Sequence, residues 1–162
     1  MVNWRIGELE NWRIGELIYL RILGIDLGEK RIGISISDEL GITAQGLPTI
    51  NSINEVEDLK KIKEIIDKYA VEKIILGLPK NMNGSLGKQA QKAISFAEKL
   101  KSSFQLPIEL EDERLSTSKA DKFLIEADRS RKKRKKVIDK MSAIIILQSF
   151  LDRRMINKEI KK

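Results

Sequence analysis

The sequence contains no cysteine and no histidine among its 162 residues. These absences exclude disulfide frameworks, Cys/His zinc sites, thiolate nucleophiles and histidine-based catalytic triads. Any catalysis by this chain must therefore use carboxylates, lysines, hydroxyls or a metal ion held by oxygen ligands. The lack of cysteine also fits a reducing compartment.

Long apolar runs are missing as well. Nowhere do about eighteen apolar residues follow one another, which is the length that a membrane-spanning helix needs. Glu8, Glu10 and Glu16 interrupt the N-terminal stretch where a signal peptide requires unbroken apolar sequence. We therefore expect a soluble, cytoplasmic protein that does not bind a membrane.

Positive charge is concentrated in one place. The chain has 31 basic and 24 acidic residues, a net charge of +7. The stretch RSRKKRKK at 129–136 holds seven of the basic residues, and without it the chain would carry 24 of each sign. Such a dense cationic segment, which we expect to be a loop, indicates a polyanionic partner. A solvated linker is the alternative.

A short tandem repeat opens the chain, since NWRIGEL occurs at residues 3–9 and again at 11–17. Two copies of so short a unit are too few to stack into a solenoid. We therefore expect an N-terminal appendage over 1–20, one domain over 21–155 and a basic C-terminal tail over 156–162.

From Arg21 onward the apolar pattern is typical of an α/β domain. It predicts strands over 22–28, 31–38, 42–50, 71–79 and 106–114, and helices over 54–70, 88–100, 116–127 and 138–155. The first three strands would form an antiparallel meander, and helical crossovers would add the last two in parallel. The expected fold is a five-stranded mixed sheet flanked by helices.

Two aspartates stand where apolar residues are expected. Asp26 lies inside the strand ILGIDLG, where an isolated charge would cost several kcal/mol unless it is paired, protonated or bound to a cation. The alternative is that it caps a turn at the strand end. Asp139 falls within about 40° of Ala143, Ile146 and Phe150 on a helix, so it begins an apolar stripe. A favourable charge at the helix N-terminus is the competing explanation.

A third acidic position is the pair Asp112 and Glu113, at the end of the fifth predicted strand. Strand alternation groups Asp112 with Ile108 and Leu110, and Glu113 with the two preceding glutamates, so the pattern favours neither as the inward residue. An ion pair with Arg114 is the alternative.

Together these acids predict a metal site, because two strand ends and a helix start can meet at one edge of such a sheet. Carboxylate oxygens suit Mg²⁺ or Mn²⁺. Two such ions about 4 Å apart activate water and stabilise the leaving oxygen of a phosphodiester. Neither histidine nor cysteine is needed for that chemistry.

Four segments in order resemble the YqgF family, also called RuvX: GIDLGEKRIG (24–33), GLPKNMNGSLGKQAQKAISFAEKL (77–100), DERLSTSKA (112–120) and KKRKKVIDKMSAIIILQSFLD (132–152). The resemblance implies a ribonuclease H-like fold related to Holliday-junction resolvases, and a nuclease role in processing the 5′ end of pre-16S ribosomal RNA. Departures are small: Asn83 stands where aspartate is frequent, and Ser142 where alanine is usual.

The resemblance also implies the site residues. Asp26, Glu113 and Asp139 would be catalytic and hold Mg²⁺ or Mn²⁺, with Glu113 preferred to Asp112 as the second ligand. The cationic stretch precedes Asp139 and would hold phosphates. The predicted nucleic-acid contacts are Lys80, Asn81, Asn83, Arg114, Arg131, Lys132, Lys133, Arg134, Lys135 and Lys136. Turn formation beside Gly84 is the alternative for the asparagines.

Three functions follow as hypotheses. The first is a metal-dependent endonuclease that acts on structured RNA, within a ribosomal precursor particle, with water as nucleophile. The second is an endonuclease with the same site that cleaves branched DNA junctions. Resolution of a junction would favour two sites acting together, so a dimer is expected for this function. The third is a nucleic-acid-binding assembly factor without turnover. The sequence leaves the substrate and the oligomeric state open.

Overall fold

A computed structural model describes residues 21–114 and 130–161, with the side chains of 134–140 excepted. Its strands are β1 (Arg21–Leu27), β2 (Arg31–Ser37), β3 (Ala44–Asn51), β4 (Val71–Leu78) and β5 (Ile108–Asp112), in the order β3-β2-β1-β4-β5. β1–β3 pair antiparallel, whereas β4 is parallel to β1 and β5 is parallel to β4. The predicted mixed sheet of three antiparallel strands followed by two parallel additions is confirmed.

Two helices provide the crossovers into the parallel strands. α1 (Glu55–Tyr69) joins β3 to β4, and α2 (Lys88–Phe104) joins β4 to β5. The side chain of Asn54 caps α1 by accepting a hydrogen bond from the Glu57 amide at 3.0 Å. Both helices were predicted. The predicted helix over 116–127 and the appendage over 1–20 lie outside the described residues.

The last helix, α3 (Arg131–Ile160), begins earlier than predicted. Ser130 is its N-cap, and the Ser130 hydroxyl accepts a hydrogen bond from the Lys133 amide at 3.4 Å. The expectation of a cationic loop is therefore wrong for residues 131–136, which form the first turns of the helix. Lysine and arginine are good helix formers, so a Ser cap suffices to start the helix before the cations. At the other end, residues 156–160 continue α3.

Strand alternation gives the sheet two different faces. On β1, Leu23, Ile25 and Leu27 pack with the core that α1 and α2 cover, whereas Ile22 packs beneath α3. Successive side chains of a strand point to opposite faces, so Gly24 and Asp26 belong to the α3 face as well. The sheet therefore lies between α1 and α2 on one side and α3 on the other.

Glycines let α3 approach the sheet closely. A Cβ atom at Gly24 would lie 2.8 Å from the Leu147 Cβ and 3.1 Å from the Ala143 carbonyl oxygen, so only glycine fits. The buried Ser35 hydroxyl donates a hydrogen bond to that same carbonyl at 2.6 Å. This contact fixes the height of α3 above the strands, and with it the position of residues at the start of the helix.

Among the helices of the described residues, none combines the length and the apolar character required to cross a membrane.

Candidate functional site

Asp26 is the penultimate residue of β1 and lies on the face that α3 covers. It is half-buried. A Cβ atom at its β2 neighbour Gly33 would lie 3.4 Å from the Asp26 Cβ and 3.3 Å from the Ala143 Cβ. Asp26 of β1 and Ala143 of α3 therefore both lie close to Gly33, where a larger residue would contact both. The turn that follows is closed by the backbone, since the Gly28 amide donates to the Arg31 carbonyl at 2.9 Å.

Glu113 directly follows β5 and reaches across β4 toward Asp26. A Cβ atom at Gly77 would lie 2.3 Å from the Glu113 Oε1 atom, so this glycine provides the space for the carboxyl group. The pairing of Ile25 with Leu76 puts Asp26 level with Gly77 on the neighbouring strand. The side chains of Glu113 and Asp26 share a hydrogen bond. The structure thus brings these two predicted site residues together.

The position of Glu113 beside Asp26 changes the titration of the Glu113 carboxyl group. Burial, followed by the charge of Asp26 and the hydrogen bond to it, raises the pKa of Glu113 to about 8. Glu113 therefore retains a proton at neutral pH unless a cation is present. A half-buried pair of acids destabilises a fold once both are ionised, whereas the ionised pair is a suitable oxygen donor set for a hard divalent cation.

Replacing Glu113 with Gln is expected to stabilise the metal-free protein at alkaline pH. The folded-state pKa lies above the unfolded value, so the wild type loses stability as the pH rises toward 8, and the glutamine variant does not. The gain should be small near pH 5 and reach about 2–3 kcal/mol above pH 8, less than the whole shift because the carboxyl keeps some solvent contact. Urea unfolding in EDTA at several pH values measures it.

Glu64→Gln is the matched control, because Glu64 is exposed on α1. It should leave the free energy of unfolding nearly unchanged at every pH. A Glu113→Gln variant that is less stable than the wild type at pH 8.5 would contradict the described electrostatics.

Asp112 has a different environment from Glu113. Both terminal oxygens of Asp112 accept hydrogen bonds from Arg114, including one of 2.7 Å from Nη2, and Lys80 Nζ lies 3.8 Å away. The hydrogen bonds from Arg114 hold the pKa of Asp112 below its usual range. The ion-pair alternative raised from the sequence therefore applies to Asp112 and not to Glu113.

Asp139 lies on α3, one turn before Ala143, and its side chain is outside the described residues. The rest of its predicted stripe is buried against the sheet: Ala143, Ile146 and Phe150. Among the described side chains, no third carboxylate lies close enough to Asp26 and Glu113 to form a three-residue metal site. The role of Asp139 remains a prediction.

The loop after β4 is closed by its own polar residues. The Asn81 amide group donates to the Ser85 hydroxyl at 2.8 Å, and Asn83 Oδ1 accepts from the Ser85 backbone amide at 3.0 Å. Arg114 extends from the acidic motif to this loop, where its Nη1 donates to the Met82 carbonyl at 3.4 Å. The asparagines thus form the turn, and their predicted contact with nucleic acid remains a prediction.

The cationic residues at the start of α3 are described in part. Arg131, Lys132 and Lys133 are exposed. The side chains of Arg134, Lys135 and Lys136 lie outside the described residues. Since the first turn of α3 contains no acidic residue, its exposed surface is cationic.

Sequence reasoning missed two residues that shape this edge. Glu111 is 2% exposed and forms an ion pair with Arg153 of α3, which ties β5 to the helix. Gly77 provides the space for Glu113. A glycine inside the apolar run VEKIILGLP was the available signal, because such a glycine often marks a close approach.

Comparison with known proteins relates this chain to one family. A family model described as "RuvX: Holliday junction resolvase" matches residues 20–153. The chain is 56% identical over 134 residues to a protein of Caldanaerobacter subterraneus subsp. tengcongensis, with 82% of this chain and 96% of that protein covered. A Geobacillus kaustophilus protein is 57% identical over 135 residues, with 82% and 98% covered. Both relatives carry the name "Putative pre-16S rRNA nuclease".

A solved structure has a similar fold. The RuvC protein of Thermus thermophilus, in complex with a Holliday junction substrate, superposes with a TM-score of 0.53 at 12% identity, covering 84% of this chain and 96% of that one. The ribonuclease H-like fold expected from the resemblance is confirmed by this neighbour. With the match of the family model over 20–153, it follows that the chain belongs to the RuvX family.

Proposed function

We propose that this protein is a divalent-metal-dependent endonuclease that acts on structured RNA, in 5′-end processing of pre-16S ribosomal RNA. The contact between Asp26 and Glu113 on the α3 face carries the proposal. The relatives' name gives the substrate, and their identity over almost their whole length supports its transfer to this chain.

The donor set fits Mg²⁺ or Mn²⁺. Asp26 and Glu113 would hold the cation, and Asp139 of α3 is the proposed third ligand. These ligands are all carboxylates, and the chain contains no softer donor from cysteine or histidine. A cation held there would supply activation of water and stabilisation of the charge on the leaving oxygen of a phosphodiester. Holding it would require Glu113 in its ionised form, which burial disfavours in the metal-free protein.

The remaining residues of the edge would position the nucleic acid. The cations of 131–136 sit at a helix N-terminus, where the helix dipole disfavours positive charge, and no acidic residue in the first turn offsets them. A bound phosphate backbone would relieve that unfavourable arrangement. Arg114 and Lys80, held at Asp112, are further cations at the β4 and β5 strand ends. Such contacts position a substrate without reading its sequence.

Changing Lys132, Lys133, Lys135 and Lys136 to Ala together is expected to weaken binding to all RNA sequences alike. Binding releases fewer counterions for each phosphate contact that is lost. The steepness of log affinity against log salt should therefore fall by up to about 0.7 per contact on single strands, or about 0.9 on duplex DNA. Fluorescence anisotropy at several salt concentrations measures the slope.

The four lysines of α1, Lys60, Lys61, Lys63 and Lys68, provide a control with the same change in charge. Their replacement by Ala should leave the slope nearly unchanged, because α1 covers the opposite face of the sheet from α3. Equal slopes for the wild type and the α3 variant would show that these cations are a solvated helix end.

A second candidate function is the resolution of Holliday junctions. The description of the family model and the fold shared with a junction-bound RuvC favour it. Resolution needs two sites acting together, so a dimer should form on the junction. Cleavage of a precursor ribosomal RNA and a four-way junction by the same preparation separates the candidates, and faster cleavage of the junction would overturn the RNA assignment.

The third hypothesis, an assembly factor without turnover, makes an opposite thermodynamic prediction. Its carboxylates would be remnants, so Mg²⁺ and Mn²⁺ should not bind appreciably. Isothermal titration of either ion into the wild type, Asp26→Asn and Asp139→Asn tests this. The nuclease proposal requires binding by the wild type that each substitution weakens.

A further inference from the structure

Met82 is unusual among the large apolar side chains of the described residues. It is 90% exposed, the highest exposure in that group. A single exposed apolar residue is common on protein surfaces and indicates nothing by itself. The position and the rigidity of the loop that carries Met82 make this residue informative.

The loop from Lys80 to Gly87 holds Met82 in a defined position. The Gly84 amide donates to the Asn81 carbonyl at 2.8 Å, and the Asn81 amide donates to the Ser85 carbonyl at 3.0 Å. Gly84 has a φ of +85°, which residues with a Cβ rarely adopt. The side-chain bonds of Asn81, Asn83 and Ser85 add to this framework. The backbone of so closed a turn loses little further entropy when Met82 binds a partner, so the entropy cost of binding is confined to the side chain.

Met82 lies at the same edge of the sheet as the carboxylate pair. Its loop follows β4, which runs parallel to β1, so both strands end at the same edge. The link is also direct, because Arg114, which follows Glu113 in the chain, donates a hydrogen bond to the Met82 carbonyl. Lys80, which begins this loop, and Arg114, which donates a hydrogen bond to it, both lie at Asp112. An apolar side chain beside cationic groups and the carboxylate pair suits a nucleic acid, which presents phosphates together with the apolar faces of its bases.

We propose that Met82 packs against the face of an unstacked base beside the phosphodiester that is cleaved. The inference rests on the proposed nuclease function and adds a substrate class to it: nucleic acid with a base that is unpaired, or easily unstacked, at the cleavage position. Apolar side chains, methionine among them, serve as wedges between bases in other nucleic-acid-binding proteins. The polarisable sulfur of methionine also interacts favourably with aromatic rings.

Base contact and phosphate contact give different salt dependences. A wedge releases no counterions, so losing it lowers affinity without changing the salt slope. Met82→Ala is therefore expected to weaken binding about threefold to tenfold at every salt concentration. Met82→Leu, which keeps an apolar wedge of similar size, should restore most of the affinity.

The experiment uses a single-stranded RNA segment between two duplexes, with 2-aminopurine beside the cleavage position. Binding is followed in the Asp26→Asn background, so that no cleavage occurs. The wild-type loop should change the fluorescence of 2-aminopurine, because the base leaves its stack. Met82→Ala should lose that change, and Met82→Leu should keep it. Met155→Ala, which removes an exposed methionine from the far end of α3, is the matched control and should behave like the parent.

Two results would overturn the inference, and they differ. Equal affinity and an equal fluorescence change for Met82→Ala and its parent would exclude the base contact while leaving the nuclease proposal intact. Failure of the parent protein to bind any nucleic acid would overturn the proposed function and this inference together.

Discussion

Asp26→Asn is expected to lower the rate of RNA cleavage by at least about a hundredfold in Mg²⁺, while folding and RNA binding stay nearly normal. Changing a residue that only supports a metal ligand lowers metal affinity or activity by about 10- to 100-fold. Loss of a ligand itself should lower the cleavage rate by at least that factor. Asparagine keeps the size of the side chain, so the packing beside Gly33 and Ala143 is preserved. Single-turnover cleavage, circular dichroism and anisotropy measure the three properties.

Asp67→Asn controls for the loss of one negative charge. Asp67 is exposed on α1, where it pairs with Lys63 at 2.6 Å, and the substitution should leave cleavage unchanged. If Asp26→Asn cleaved RNA at the wild-type rate in Mg²⁺, the assignment of Asp26 to the site would be wrong.

Gly77→Ala should damage the site with only a modest loss of stability. The added methyl group would lie 2.3 Å from Glu113 Oε1 and 2.6 Å from Ile146 Cδ1, and both are ends of flexible side chains that move aside. Unfolding should therefore become easier by about 1–3 kcal/mol. Displacing Glu113 separates it from Asp26, and a misplacement of about 1 Å in an active site costs up to a hundredfold in rate. Cleavage and urea unfolding are measured on the same preparation.

Gly46→Ala provides the matched substitution. Gly46 also lies beneath α3, and its added methyl group would lie 3.0 Å from Ile144 Cδ1, with no carboxylate nearby. This variant should lose some stability and keep its cleavage rate. Equal cleavage rates for the two glycine variants would show that Glu113 does not depend on the space that Gly77 provides.

The sheet was predictable because its strands have strong local signals. Apolar runs and strict alternation from Arg21 to Ser37 gave the first hairpin, and amphipathic periods gave α1 and α2. The start of α3 was less predictable, because a run of cations is compatible with both a loop and a helix. Ser130 decides between them by capping the helix, and a single serine among eight polar residues is a weak signal.

Only part of the candidate site could be predicted from the sequence pattern. Asp26 stood out because a charge interrupted an apolar strand. The choice between Asp112 and Glu113 depended on which face of β5 turns toward α3. Glu111, two residues before Glu113, pairs with Arg153 on that face, and Asp112 pairs with Arg114. Strand alternation leaves that choice undetermined unless the contacts of the neighbouring helix are known.

At this edge of the sheet, the arrangement of the candidate site lowers the stability of the fold. Glu113 is held near Asp26, where burial and repulsion raise its pKa to about 8. A fold optimised for stability alone would replace one of these acids. Their presence costs stability in the metal-free state, and the proposed role of the pair in holding a cation would make this cost an example of the trade-off between stability and activity.

Cleavage of a precursor ribosomal RNA by wild-type protein and Asp26→Asn, each with Mg²⁺ and each with EDTA, tests the metal dependence of this site. We expect cuts at defined positions only for the wild type with Mg²⁺, and a return of activity when Mg²⁺ is added back after EDTA. Equal cleavage in EDTA, or by Asp26→Asn in Mg²⁺, would contradict a metal-dependent carboxylate site at this edge of the sheet.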